Sequence, residues 1–91
     1  MIFEWDPTKA AANLKKHGVS FSEAATVLSD SLGVTVPDPD HSLDEDRYIT
    51  VGMSYHSRLL IVAHTERGDH VQVISARELT RREREAYERG N

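Results

Sequence analysis

No cysteine occurs among the 91 residues. A disulfide framework and a thiolate metal site are both excluded, and the chain suits a reducing cytosol. No apolar run approaches the ~18 residues of a membrane-spanning helix. The start, Met-Ile-Phe-Glu-Trp-Asp, lacks the basic and apolar regions of a signal peptide. These absences set the expectation of a cytoplasmic protein without membrane association. Internal repeats are missing too, and residues 1–91 are expected to form one small domain, burying roughly 60% of its extended-chain surface. An excess of basic charge is also lacking, since the net charge is −4.

The distribution of that charge matters more than its sum. Six of the fifteen acidic residues lie between Asp30 and Asp46, where Arg47 is the nearest base. Nine acids and ten bases remain elsewhere, and five of the bases fall in the last fifteen residues. A local basic patch fits this pattern; a basic protein does not.

Along the chain, Ile2-Phe3-Glu4-Trp5 alternates as a short strand does. Asp6-Pro7 is a strong helix start, with Asp as N-cap and Pro at the first helical position. The helix that follows places Ala10, Leu14 and His17 on its buried stripe and ends at Gly18. Ser20 to Glu23 spells a capping box, with Val19 placed to staple onto Ala24. A second helix is expected to about Ser29, burying Phe21, Ala24, Ala25, Val27 and Leu28. Leu32 to Val36 reads as a strand, broken by Pro37-Asp38-Pro39-Asp40, which opens an acidic loop through Asp46. Three strands follow between Tyr48 and Arg77. Thr80 to Glu83 is another capping box, starting a last helix with little to bury beyond Leu79, Ala86 and Tyr87. The expected class is α+β: an antiparallel sheet with two N-terminal helices packed on one face and a C-terminal helix, in the order β-α-α-β-β-β-β-α.

A turn at Arg67-Gly68 would bring strand positions whose numbers sum to 135 opposite each other. Arg58 then faces Arg77, Leu60 faces Ser75, and His64 faces Val71. Because side chains alternate, Arg58, His64, Ser75 and Arg77 would share one side of the sheet. Two arginines directly across from each other repel; a polyanion held between them explains the pair. Ion pairs to Glu66 or Glu78 are the plainer account.

Several separated segments carry a resemblance. They are Phe3 to Val27, Asp40-His41-Ser42 with Arg47, the hairpin Arg58 to Gly68, and the tail Ile74 to Glu88. Together they resemble BrnT-type toxins, the ribonuclease halves of bacterial type II toxin–antitoxin pairs. Gln72, where relatives often carry a base, and the hairpin tip Tyr55-His56-Ser57 depart from the pattern. The resemblance implies a fold like that of RelE-type toxins and metal-independent RNA cleavage that inhibits translation. It also implies a complex with a BrnA-type antitoxin, whose ribbon-helix-helix part binds operator DNA. No cofactor and no metal are expected.

Metal-free RNA cleavage needs a base for the 2′-OH, an acid for the departing 5′-oxygen and fixed cations at the phosphorus. His64 is the expected acid/base, with Arg58 and Arg77 as the phosphate clamp. Lys15, Lys16 and His17 supply a second basic wall, and Tyr55 a stacking surface for an unpaired base. Arg47 and Arg67, within the resembling segments, complete the RNA-binding candidates. Each residue has a plainer reading as well. His64 fits a buried strand position, Lys15 to His17 a solvated helix end, and the run Asp38, Asp40, His41, Asp44, Glu45 and Asp46 a solvated acidic loop without calcium-loop spacing. The alternative to an enzyme is a non-catalytic module that holds a partner in a repressor complex.

Overall fold

The computed structural model of the chain describes residues 1–41 and 46–90. Ser42, Asp44 and Glu45, named above, lie outside the described residues. The elements are β1 (Ile2–Glu4), α1 (Pro7–His17), α2 (Phe21–Val27), β2 (Val34–Pro37), β3 (Arg47–Met53), β4 (Leu59–Arg67), β5 (His70–Glu78) and α3 (Arg81–Gly90), with a 3-10 turn at Pro39–His41. The class and element order are those read from the sequence.

The helix signals hold because they are local. Asp6 accepts the Thr8 amide at 2.8 Å, and Pro7 opens α1. Gly18 closes it at φ 69°, a left-handed conformation that glycine adopts without strain. Ser20 accepts from the Glu23 amide at 3.0 Å. The second half of that capping box is absent, because the Glu23 carboxylate turns inward to Arg58 and Ser54. At α3 the box is complete, with Thr80 Oγ1 and Glu83 Oε1 each accepting the other residue's amide. Helix α2 stops two residues short of Ser29; a tighter turn carries Leu28 and Ser29.

The sheet runs β1-β5-β4-β3-β2. Four strands are antiparallel neighbours, whereas β1 pairs in parallel with β5, Phe3 opposite Val71. The core lies between α2 and the sheet, where Phe21, Ala24 and Val27 meet Leu60, Val62, Val73 and Ala76. Helix α1 differs from expectation: Leu14 is half exposed, and Asn13 is the buried residue. Its amide accepts from the Ala76 N–H at 3.1 Å and donates to the Ala76 carbonyl at 2.9 Å and to the Val19 carbonyl at 3.0 Å. Beyond Glu4, where β1 ends, this side chain takes the place of a neighbouring strand on the β5 edge.

The register of the β4–β5 hairpin corrects the sequence reading. The turn is Gly68-Asp69, so Arg67 faces His70 and His64 faces Val73. A β-bulge then leaves Ile74 unpaired, and from Ala63 opposite Ser75 onward the pairing is shifted once more. Arg77 lies opposite Ile61 and not Arg58. One extra residue exchanges the faces of everything beyond it. Arg58 and His64 therefore belong to the helix-covered side, and Ser75 and Arg77 to the other.

Candidate active site

The two members of the expected site on the helix side are occupied by structural work. His64 is 2% exposed. Its Nε2 pairs with Thr50 Oγ1 at 2.7 Å, its ring stacks near Tyr48, and its Nδ1 has no hydrogen-bond partner among the described residues. Burial pushes its pKa below the usual imidazole value, so the ring is neutral and out of reach of a substrate. Arg58 is bound through its guanidinium to both carboxylate oxygens of buried Glu23, and also to Glu78 and the Gly18 carbonyl. That guanidinium holds the Glu23 carboxyl below the ordinary carboxylate range, and Ser54 adds a hydrogen bond at 2.7 Å. The pair locks the β3–β4 turn onto α2. The shared surface of two arginines and one imidazole proposed from the sequence does not form.

A different groove does. It has a volume of about 310 Å³ and lies on the sheet face away from the core, floored by Ile49, Ile61 and Ala63. One wall is Ser75, Arg77 and His17; the other is Asp38, Asp40, His41 and Arg47. Each wall has a local cause. The bulge at Ile74 swings Arg77 to this side. Anchored at the β5 edge by Asn13, α1 brings its last residue, His17, over the rim. The 3-10 turn after Pro37 folds His41 back so that its Nδ1 meets Asp38 Oδ2 at 3.1 Å.

Asp38 is buried and serves as the hub of the second wall. It accepts the Asp40 amide at 3.0 Å and lies 3.5 Å from the Arg47 Nε. A carboxylate oxygen accepts, so in this contact His41 donates from Nδ1 and presents Nε2 on the other side of the ring. Arg77 is held by Glu83 of α3, through Nη1 at 2.7 Å and Nη2 at 3.0 Å. The guanidinium in turn holds the Glu83 carboxyl down to about 2. Two oxygens of one carboxylate and the Glu78 carbonyl engage three of the five guanidinium hydrogens. Two donors remain. Among the described residues no cluster of three or more His, Cys, Asp or Glu is arranged to hold a metal ion.

The remaining predicted residues scatter. Lys15 and Lys16 are exposed on α1, and Tyr55 is exposed at the β3–β4 turn against the His56 ring. Arg67 is at the tip of the β4–β5 hairpin beside Asp46, at 3.6 Å, and does not line the groove. The groove thus unites Arg77, His17 and Arg47 of the expected set and adds Asp38 and His41. The spacing Asp38-Pro39-Asp40-His41, a carboxylate and an imidazole one tight turn apart, is the signal that could have revealed the dyad.

Two N-terminal helices on one side of a mostly antiparallel sheet, with a groove of two arginines, two histidines and two aspartates on the other, define a small α+β protein. The family described as "Ribonuclease toxin, BrnT, of type II toxin-antitoxin system" matches residues 5–83, and the chain belongs to that family. Its structure is similar to the crystal structure of the ribonuclease toxin BrnT of Brucella abortus, with a TM-score of 0.68 and 24% sequence identity over 89% of this chain and 100% of that one. That likeness shows a common fold. No protein of curated function matches the chain in sequence. No helix among the described residues is long and apolar enough to cross a membrane.

Proposed function

We propose that the protein is a metal-independent endoribonuclease whose centre is the groove between α1 and the Asp38–His41 turn. The observation that carries this reading is the meeting of two imidazoles and two guanidiniums in one cavity, drawn from α1, the 3-10 turn, β3 and β5. His41, oriented by Asp38, takes the proton of the 2′-OH on Nε2 while that oxygen attacks the adjacent phosphorus. His17, on the opposite wall, delivers a proton to the leaving 5′-oxygen. Arg77 and Arg47 stabilise the charge on the pentavalent phosphorus. The products are a 2′,3′-cyclic phosphate and a free 5′-hydroxyl.

Family membership supports the rest of the reading: an antitoxin of the BrnA type, with a ribbon-helix-helix part that carries the complex to operator DNA, silences the cleavage that would inhibit translation. One observation favours a non-catalytic module instead, namely the engagement of Arg77 by Glu83. Purified protein decides between the two. Cleavage of single-stranded RNA should fall about 10²-fold or more in His41→Ala and in His17→Ala, with a bell-shaped pH profile for the wild type. Intact RNA with well-folded wild-type protein would leave only the module.

A further inference from the structure

A second, smaller cleft of about 250 Å³ opens between α1 and β5, lined by Lys9, Asn13, Lys16, His17, Ile74 and Ser75, with Ala12 beneath. Resting on the ribonuclease reading of the main groove, we propose that this cleft is a neighbouring nucleotide subsite. It would take the next phosphate of a single-stranded RNA on Lys9 and Lys16 and its base against Ile74.

Three independent features point there. The first is continuity: His17 and Ser75 line both cavities, so a strand seated at the groove passes directly into the cleft. The second is charge. Lys9 and Lys16 are seven residues apart, two helical turns, and stand on one face of α1. No carboxylate lines the cleft, and neither lysine has an ion-pair partner among the described residues. The arginines of the sheet are in the opposite state: Arg47, Arg58, Arg67 and Arg77 are each beside a carboxylate. Unpaired cations are the ones that gain most from an arriving phosphate. The third is Ile74. As the unpaired residue of the bulge it is free of the strand alternation, and its half-buried side chain lines the cleft. An apolar surface flanked by two ammonium groups matches a nucleotide, which joins a flat ring to an anion.

The test separates binding from cleavage. A fluorescein-labelled octanucleotide pool of mixed sequence, carrying 2′-deoxyribose so that it cannot be cut, is titrated against wild type and the Lys9→Ala/Lys16→Ala double variant. Fluorescence anisotropy should show the affinity falling about tenfold, with the slope of log Kd against log salt reduced by about 0.7 to 1.4. Arg89→Ala serves as the control for loss of a surface charge and should bind as wild type. With ribose substrates, the double variant should raise KM for the octanucleotide at unchanged kcat, while a dinucleotide too short to reach the cleft is cut as by wild type. An unchanged Kd overturns the subsite, as does failure of the wild type to bind. Weakened binding of the antitoxin with RNA affinity intact also overturns it, and assigns the lysines to a protein partner. Binding that behaves as expected without cleavage of any RNA keeps the subsite and removes the nuclease reading.

Discussion

His64 and His41 carry the same ring into opposite circumstances, one sealed in the core and one lining the groove. Buried and held neutral, His64 has a pKa lower in the folded chain than its ordinary value of about 6.5. The unfolded chain therefore binds the proton first. Stability is full above about pH 6.5 and is lost as the pH falls from there through the folded-state value, at no more than about 1.4 kcal/mol per pH unit for one proton. Thermal melts between pH 7.5 and 5 should show this decline, and His64→Gln should flatten it. Arg58 and Arg77 divide in the same way. Arg58→Ala strands the Glu23 carboxylate in the core and should cost about 3–5 kcal/mol in urea unfolding. Arg77→Ala removes a half-exposed pair and should cost about 1 kcal/mol or less while abolishing cleavage. Loss of toxicity in an Arg58 variant would thus report unfolding. At this scale the sequence was readable wherever the cause was one residue and its near neighbours: the Asp6 cap, the Gly18 stop, the Thr80 box. The faces of Arg58 and Arg77 were not, because a bulge at Ile74 leaves no mark in a run as regular as Val-Gln-Val-Ile-Ser-Ala-Arg.

Among the elements, α1 does the work that a further strand would otherwise do. Asn13 was overlooked since an amide on a helix stripe reads as a polar interruption, yet two of its hydrogen bonds hold the helix to Ala76 of the β5 edge and a third ties it to the Val19 carbonyl. Asn13→Ala should destabilise by roughly 2–4 kcal/mol, because it leaves buried backbone groups unpaired. It should also raise the hydrogen-exchange rate of the Ala76 amide ahead of the rest of β5. Since His17 is four residues further along the same helix, the groove should lose activity at temperatures where the sheet is still folded. An unaltered exchange rate at Ala76 would count against this role. The parallel pairing of β1 with β5 was equally hidden, as a three-residue strand carries no sign of its partner's direction. The existence and order of every helix and strand were legible, since apolar periodicity and turn residues fix those locally.

For the whole molecule, the acidic total conceals a division of labour. Carboxylates Glu23, Asp38, Asp46 and Glu83 each hold an arginine in position, while the lysines of α1 are left unpaired among the described residues. Part of the negative charge is thus scaffolding, and a net of −4 leaves room for a cationic face on α1. With one core cluster between α2 and the sheet, urea should unfold the chain in a single cooperative step seen alike by tryptophan fluorescence and circular dichroism. Two separated transitions would break the reading of residues 1–91 as one domain.

The unpaired Ile74 also bears on how relatives should be compared with this chain. Loss of one codon at that position, with the reading frame kept, would remove the bulge and join Val73 to Ser75 in plain alternation, leaving Ser75 and Arg77 on the groove side. An alignment that closes a gap there would pair groove residues with core residues without any visible penalty. Homologues should be matched across β5 by the side on which each residue stands, and only then by its letter.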